Sequence, residues 1–479
     1  MSQEAVALFH RLTSYEPPWQ NWETPKDHPL IRQDLKQNDP DTQPPPVKRY
    51  RQALETVELP RDWPAVDIPA GDVLAGVGAS GGGRLDLAAL ARILHLSAGV
   101  VRTTQRPGRP LFLYRAAGSA GGRFAMELYV AARDVDGLAD GVWWYDPQAH
   151  ALRRVGPPAA DGGTTVIVTG VPWRTGWRYA ERGYRHLYWD SGTMLSQLLA
   201  LAATAGLQPQ LYTRFPDARV AELVGADGVH EFPLELVALA GGAPATDAAG
   251  PAEQGEIDVE PQEYPLITVT QRAGDLDELG EPWRAGPAID PRPTPPLDEV
   301  ILTRGSTRLM DRSKTIPRDL LEWPLTAALR GIDVPHFVAV HAVDGVGPGV
   351  YRWPDLERPV NTDITRDGLA HISMDQDLGG DAAYVVIGAH DLESLDARGY
   401  REAQLAAGLV EGRLHLAAYG LGIGASGMTF FDSEIAGLLA APLAGLIFTC
   451  VGVPEYRNKP GGKPGQPTAV RVPTPRMDD

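Results

Sequence analysis

Two stretches of the chain resemble each other and decide the fold: YVAARDVDGLADGVWWYDP at 129–147 and FVAVHAVDGVGPGVYRWPD at 337–355. Each is a run rich in β-branched and aromatic residues, an Asp-Gly turn and a second such run, a pattern typical of a β-hairpin. The Asp-Gly pairs fall at equivalent places, Asp136-Gly137 and Asp344-Gly345. We therefore expect the same hairpin to occur twice.

Further matches follow in the same order on both sides of these hairpins. Tyr184-Arg185 matches Tyr400-Arg401, and Gly192 matches Gly408 at the same offset. Each match is followed by a predicted long Leu/Ala-rich helix and then by a predicted terminal strand, LELVALA or LIFTCVGV. Before the hairpins, DVLAGVGAS at 72–80 matches EVILTRGST at 299–307. Matches in a fixed order predict two copies of a domain of roughly 200 residues. The order of helices and strands is α+β rather than alternating βαβ.

The composition shifts along the chain suggest four segments. We expect an N-terminal arm at 1–64, with a short helix near 4–14, and a first domain at 65–242. A Pro/Ala/acidic linker follows at 243–297, and a second domain occupies 298–479. Within the linker, YPLITVTQ predicts a short strand. We call the two domains copy one and copy two.

The composition narrows the class of protein. The net charge is −17 with no basic stripe, which argues against nucleic acid and anionic membranes as partners. The single cysteine, Cys450, excludes an intramolecular disulfide and a thiolate metal cluster, and fits a cytoplasmic protein. Residues 435–453 are uncharged and long enough to span a bilayer, but Pro442 favours buried core. His336 and His341 lack a metal-ligand pattern, so we expect no metal.

Arg304-Gly305-Ser306-Thr307-Arg308 is a candidate phosphate grip. Two arginines four residues apart, with a hydroxyl between them, converge on one phosphate if the segment is helical. The alternative is a solvated basic start of a helix.

Two segments of small residues are candidates for close contact with a flat ligand. The first runs from Arg115 to Gly122, where small residues let backbone N–H groups come close, unless it is merely a flexible loop. The second, Gly420 to Gly427, contains a formal G-x-G-x-x-G, but the preceding RLHLAAY is predicted to be helical. A dinucleotide fingerprint must follow a strand, so we interpret these glycines as a loop after a helix.

Taken together, three motifs make the chain similar to the nitroreductase superfamily. They are the R-x-S-x-R segment, the R…S-A-G-x…E-L-Y segment from Arg115 to Tyr129, and the G-L-G…G-x-x-F-F-D segment from Gly420 to Asp432. The closest branch is the SagB-type, or thiazole/oxazole, dehydrogenases, which FHRLTSY, GLADGVWWYDP and RYAERGYRHLYWDSGT also resemble. The resemblance covers most of 65–240 and 298–456.

This resemblance implies an α+β fold with FMN held between two domains that supply different parts of the site. In copy one, Val77 and Gly81 stand where the arginines are expected, and copy two has no S-A-G segment. We therefore expect one FMN per chain, in an intrachain pseudo-dimer that is a monomer or forms homodimers. The implied cofactor-binding residues are Arg304, Ser306, Arg308, Gly424, Ala425, Ser426 and Gly427 from copy two, with Arg115, Ser119, Ala120 and Gly121 from copy one.

The resemblance also implies flavin-mediated hydride transfer. SagB-type enzymes carry a Lys-Tyr pair for the proton removed from carbon, and Arg178-Tyr179 stands at that position here. Because arginine is not deprotonated in proteins, Arg178 would stabilise an anion and Tyr179 would carry the proton, unless Tyr179 is an ordinary packed tyrosine.

The implied substrate is a small molecule or a peptide-derived heterocycle such as an azoline, with partner biosynthetic enzymes. The alternatives are an NAD(P)H-dependent nitro or quinone reductase and a catalytically inactive flavin-binding scaffold.

Overall fold

The two hairpins predicted from the sequence form the centres of two sheets in the computed structural model, which describes residues 2–18, 26–50, 53–77, 81–239, 241–471 and 473. The helices are α1 Ser2–Thr13, α2 Ala70–Ala75, α3 Leu87–Ala98, α4 Pro172–Tyr179, α5 Gly183–Thr204, α6 Asp217–Val224, α7 Pro265–Arg272, α8 Leu297–Thr303, α9 Asp319–Ala328, α10 Arg366–Ile372, α11 Leu378–Asp381, α12 Ala397–Gly420 and α13 Ile435–Leu439. The strands are β1 Thr56–Glu58, β2 Val100–Thr104, β3 Phe112–Arg115, β4 Met126–Ala132, β5 Gly141–Asp146, β6 Ala151–Gly156, β7 Thr165–Gly170, β8 Gln210–Tyr212, β9 Phe232–Ala238, β10 His336–Val340, β11 Gly349–Arg352, β12 Pro359–Asn361, β13 Tyr384–His390, β14 Gly424–Met428, β15 Ala444–Gly452 and β16 Thr468–Ala469.

The two sheets have the same strand order. The first is β1-β6-β5-β4-β7-β9-β8 and the second is β12-β11-β10-β13-β15-β14, so they differ only by the arm strand β1. All neighbours in both sheets are antiparallel. The hairpin turns need glycine, since Gly137 has φ +85° and Gly345 has φ +73°. The predicted α+β fold with two copies is confirmed.

The long helices α5 and α12 pack against each other between the two sheets. They cross at the matched glycines Gly192 and Gly408. A Cβ atom on Gly192 would lie 2.5 Å from the backbone nitrogen of Leu409, and one on Gly408 would lie 2.5 Å from the carbonyl oxygen of Trp189. Both helices are buried along almost their whole length. The matched glycines therefore let the two copies approach to backbone contact.

Gly408→Ala is expected to lower the free energy of unfolding by about 3 kcal/mol, because the added methyl group meets backbone that cannot move aside. In an exposed helix the same change stabilises by up to about 1 kcal/mol. Gly437→Ala in α13 is the matched control, since a Cβ there meets nothing within 4 Å. Urea unfolding of both variants measures the difference. Equal stability of the two variants would contradict the close crossing.

At the start of each long helix, two arginines bind an aspartate of the other copy. Asp432, which follows β14, accepts hydrogen bonds from Arg182 and from Arg185, the latter at 2.7 Å. The side chain of Asp432 is only 5 % exposed. The neighbouring guanidinium groups outweigh its burial and hold the pKa of Asp432 well below its ordinary value.

The equivalent contact joins copy two to copy one. Asp217, at the start of α6, accepts hydrogen bonds from Arg398 and from Arg401, the latter at 3.0 Å. We call these two contacts the arginine clamps. Because each clamp joins a helix of one copy to a carboxylate of the other, they fix how the copies sit together.

The linker differs from its prediction at one element. Residues 265–272 form helix α7 rather than a strand. Pro265 occupies the first helical position, where a backbone N–H would have no partner within the helix. Leu266, Ile267 and Thr270 share a buried face at helical spacing. The strand prediction was wrong because threonine and apolar residues alternate in this segment, as they do in many strands.

The uncharged segment 435–453 divides into α13 and the buried strand β15, as its interpretation as core predicted. Among the helices in the described part of the chain, none has the length and apolar character needed to cross a bilayer.

Candidate functional site

Arg304 joins the two copies. The segment that follows α8 is extended rather than helical, because the helix ends at Thr303 and Arg304 has ψ 155°. The helical arrangement considered for residues 304–308 is therefore wrong. Arg304 is buried, and its guanidinium donates to Gln197 Oε1 at 2.7 Å and to the carbonyl oxygen of Ala116. Burial lowers the pKa of Arg304 to about 10, which leaves it charged at neutral pH.

Ser306 and Arg308 lie at the surface on the same extended segment. Tyr456 fixes the backbone here, because its hydroxyl accepts the N–H of Arg308 at 3.0 Å and approaches the carbonyl oxygen of Ser306. Arg102 is close enough to depress the pKa of Arg304 further by charge repulsion. The structure thus gathers cations and a hydroxyl, but the guanidinium of Arg304 points into copy one rather than toward Ser306.

The segment of small residues in copy one is tied to α5 by Asp190. Ser119 Oγ donates to Asp190 Oδ2 at 2.5 Å, and the N–H of Ala120 donates to Asp190 Oδ1 at 2.9 Å. The N–H of Phe124 in turn donates to Ser119 Oγ at 2.8 Å. Sequence reasoning missed Asp190, although it stands in the quoted stretch RYAERGYRHLYWDSGT.

Gly121 lies against Arg178 and Tyr179. Its φ of +57° favours glycine, and an added Cβ would lie 2.3 Å from Arg178 Cδ and 2.8 Å from the Tyr179 hydroxyl. The Tyr179 ring stacks on His186 with 3.9 Å between centroids. Burial raises the pKa of Tyr179, so the hydroxyl keeps its proton at neutral pH. The structure therefore brings the Arg-Tyr pair to the small-residue segment.

Residues 424–427 form a strand, so their interpretation as a loop is wrong. They belong to β14, at the edge of the second sheet, and the turn after α12 is made by Gly422 with φ +82°. The carbonyl oxygen of Ala425 accepts the N–H of Thr307 at 2.9 Å and so points away from β15. Because hydrogen-bonding direction alternates along an antiparallel strand, the N–H of Gly427 also points away from β15. Gly427 thus offers a backbone N–H that points away from the sheet, although it lies on a strand rather than in a loop.

Arg115 serves a different purpose from the other candidates. Its guanidinium donates to the carbonyl oxygens of Met126, at 2.8 Å, and Pro46, at 3.0 Å. Burial lowers its pKa to about 10. Arg115 therefore fastens the arm to copy one, and it borders the small-residue segment without directing its charge there.

Two buried carboxyl groups complete the site, and neither was identified from the sequence. Glu411 on α12 accepts a hydrogen bond from Thr193 Oγ1 on α5 at 3.1 Å, and a Cβ on Gly427 would lie 2.2 Å from Glu411 Oε1. Burial raises the pKa of Asp190 to about 7 and that of Glu411 to about 8. His415 Nε2 lies 3.6 Å from Glu411. The interface between copies thus holds two acids that retain protons near neutral pH, Glu411 more fully than Asp190.

Glu411→Gln is expected to make the protein more stable at alkaline pH. From about pH 4.5 to about pH 8 the unfolded chain loses the Glu411 proton while the folded chain keeps it, so the folded state is progressively penalised. Glutamine removes that penalty. We expect roughly 2–4 kcal/mol of added stability near pH 8 and little near pH 4.5.

Urea unfolding at both pH values measures this effect. The control is Glu299→Gln at an exposed position, which we expect to stay within about 0.5 kcal/mol at either pH. A stabilisation by Glu411→Gln that does not change with pH would contradict the assignment.

The pseudo-symmetric position on the other side of the α5–α12 pair has alanine and leucine where the candidate site has acids, a hydroxyl and a histidine. Its cations are Arg413, the counterpart of Gln197, and Arg330. By the offset that relates Gly192 to Gly408, the counterparts of Asp190 and Thr193 are Ala406 and Leu409. Those of Glu411 and His415 are Leu195 and Leu199, and the counterpart of Arg304 is Val77. The linker closes this side, because the N–H of Trp283 donates to the carbonyl oxygen of Leu211, the counterpart of Gly427, at 2.7 Å. Among the described residues, only the position with Asp190 and Glu411 therefore combines acids, a hydroxyl and an outward backbone N–H.

No cluster of His, Cys, Asp or Glu in the described ranges is arranged to hold a metal ion. A search of protein-family models found no match.

Comparison with known proteins shows what the chain is similar to. A presumed nitroreductase from Methanocaldococcus jannaschii is 27 % identical over 139 residues, which make up 26 % of this chain and 69 % of the relative. The crystal structure of a presumed nitroreductase from Anabaena variabilis matches 94 % of this chain and 99 % of its own, with a TM-score of 0.72 and 22 % identity. A presumed nitroreductase from Ralstonia eutropha matches 41 % of this chain and 96 % of its own, with a TM-score of 0.32 and 19 % identity. The chain therefore has a nitroreductase-like fold, with two copies in one polypeptide.

Proposed function

We propose that the protein is an FMN-dependent oxidoreductase that dehydrogenates a small molecule or a peptide-derived heterocycle such as an azoline. One observation carries the proposal: of two pseudo-symmetric positions between the copies, one has Asp190, Thr193, Glu411 and His415 on the paired helices, and the other has alanine and leucine in the equivalent places. Such one-sided polarity is expected of a fold that keeps one flavin site and has closed the other.

The residues at the polar position suit a flavin mononucleotide. Ser306 and Arg308 offer a hydroxyl and a guanidinium at the surface, which fit a phosphate group. Gly427 offers an outward N–H, and Gly118 lies where an added Cβ would be 3.5 Å from Thr193 and 3.7 Å from Arg304. We assign the phosphate to the first pair and the ring to the glycine side. When bound, the flavin supplies the two-electron redox chemistry, and the protein orients it.

Arg178 and Tyr179 would act on the substrate at the ring side. Arg178 carries a fixed positive charge that can stabilise a developing anion, and the Asn38 side chain holds it at 3.1 Å. Tyr179 keeps its proton at neutral pH and can donate it.

A protonated Tyr179 also favours a second candidate function, an NAD(P)H-dependent nitro or quinone reductase. In a reduction the substrate gains a proton, which Tyr179 can supply directly. In a dehydrogenation the same hydroxyl would first have to lose its proton to accept one from carbon.

Reconstitution with FMN tests the common part of the proposal. We expect a yellow protein that binds one FMN per chain, measured from flavin absorbance against protein concentration. Failure to bind FMN, or a ratio of two per chain, would refute the single-site proposal. Stopped-flow mixing with NAD(P)H then separates the functions: rapid bleaching identifies the reductase, and bleaching by an azoline alone identifies the dehydrogenase. A bound flavin that neither compound reduces identifies the scaffold protein.

A further inference from the structure

A cavity of about 140 Å³ lies between the N-terminal arm and helix α4. Arm residues Ile31, Leu35 and Lys36 line one side, and Tyr179 and Arg182 line the other. The sequence assigned no role to the arm, whereas the structure makes it one wall of this cavity.

The arm is fastened to α4 beside the cavity by three hydrogen bonds. The N–H of Asn38 donates to the carbonyl oxygen of Trp177 at 2.8 Å, and the indole N–H of Trp177 donates to the carbonyl oxygen of Asp39 at 2.7 Å. Arg178 donates to Asn38 Oδ1 at 3.1 Å. Since these bonds involve the last turn of α4, the arm also holds the Arg178-Tyr179 pair in place.

Tyr179 separates the cavity from the small-residue segment of the candidate flavin site. It lines the cavity, and its hydroxyl lies so close to Gly121 that an added Cβ would be 2.8 Å away. The Tyr179 side chain therefore borders both the cavity and the small-residue segment. This places the cavity on the substrate side of Tyr179.

The lining of the cavity has more basic than acidic side chains, in a chain whose net charge is −17. Lys26 and Lys36 line it, and within the described ranges neither has a carboxylate within ion-pair distance. Lys26 instead donates to the carbonyl oxygens of Arg11, at 3.4 Å, and Ser14, at 3.2 Å.

The remaining charged groups of the lining are two arginines and two glutamates. Arg32 and Arg182 are cations that also line it, and each is paired with an aspartate. Glu16 and Glu181 are the lining acids; burial raises the pKa of Glu181, and its Oε1 accepts the backbone N–H of Arg32 at 3.2 Å. The apolar wall of Ile31 and Leu35 lies beside two lysines that have no carboxylate partner among the described residues, which suits a ligand with an apolar body and one negative group.

We propose that this cavity binds an organic carboxylate, with the apolar part against Ile31 and Leu35 and the carboxylate toward Lys26 and Lys36. The cavity would be the substrate pocket of the proposed oxidoreductase, and to that extent the inference rests on the proposed function. Binding itself does not require the flavin.

Calorimetry with benzoate and its neutral isostere benzamide tests the proposal on the full chain. We expect benzoate to bind at least tenfold more tightly than benzamide. Lys36→Glu, at an exposed position, is expected to weaken benzoate binding at least tenfold. Lys314→Glu makes the same charge change at an exposed position outside the cavity lining and is expected to leave binding unchanged. Leu35→Trp, which fills the cavity, is expected to abolish binding of both compounds.

The outcomes separate this inference from the proposed function. Absence of benzoate binding, equal binding of benzamide, or unchanged binding in both Lys36→Glu and Leu35→Trp would overturn the carboxylate pocket, whatever the flavin content. Benzoate binding that depends on Lys36 in a protein unable to take up FMN would sustain the pocket and refute the flavin proposal. Circular dichroism of each variant confirms that a loss of binding is not a loss of fold.

Discussion

Replacing Arg304 and Arg308 together with alanine is expected to raise the dissociation constant for FMN at least 100-fold. Arg308 offers the phosphate a charge-assisted hydrogen bond worth about 1.5–3 kcal/mol, and 1.4 kcal/mol corresponds to a factor of ten. Arg304 contributes a second effect, because it ties the segment that carries Ser306 to the carbonyl oxygen of Ala116 in copy one. Titration of free FMN, followed by the quenching of its fluorescence, measures the change.

The matched control is Arg352→Ala/Arg358→Ala, which removes two exposed arginines of the same copy away from the site. We expect it to bind FMN like the unaltered chain. Because Arg304 is buried, Arg308→Ala alone supplies a variant whose fold is not at risk, with an expected loss of about tenfold. Full retention of FMN by the double variant would rule out the phosphate assignment.

Asp432→Asn is expected to lower the free energy of unfolding by about 3–5 kcal/mol. The change leaves Arg182 and Arg185 buried without their carboxylate, and removing one partner of a buried ion pair is costly for that reason. Because the clamp joins α5 of copy one to the segment after β14 of copy two, we also expect FMN affinity to fall. Urea unfolding and FMN titration measure the two effects.

The loss of stability caused by Asp432→Asn is expected to depend on pH. The pKa of Asp432 is held well below its ordinary value of 3.8, so its stabilisation is fully present above about pH 4 and is lost as the pH falls further. The difference between the unaltered chain and Asp432→Asn should therefore shrink in acid. Asp247→Asn, which breaks the exposed pair with Arg219, is the control and should cost at most about 1 kcal/mol. An equal loss in both variants would show that burial of the clamp has no special effect.

The sequence by itself determined the α+β class and the presence of two copies. Both follow from local patterns, since an Asp-Gly pair between two strand-like runs is a strong short-range signal for a hairpin. The matched pairs Tyr184-Arg185 and Tyr400-Arg401 also identified equivalent long helices. The motifs around Ser119, Arg304 and Gly424 indicated a flavin site, and their assignment to FMN stays a prediction.

Only the tertiary structure decided how these pieces are used. Residues 265–272 became a helix and 424–427 a strand, because buried contacts with distant elements overrode local appearance. Asp190 and Glu411 were overlooked because a carboxylate in a helix looks like a solvated group until its neighbours are known. The arm gave no functional signal either, since its cavity exists only where residues near Ile31 meet Tyr179. Burial and charge environment depend on contacts between residues far apart in the chain, and a sequence pattern reports only on neighbours along it.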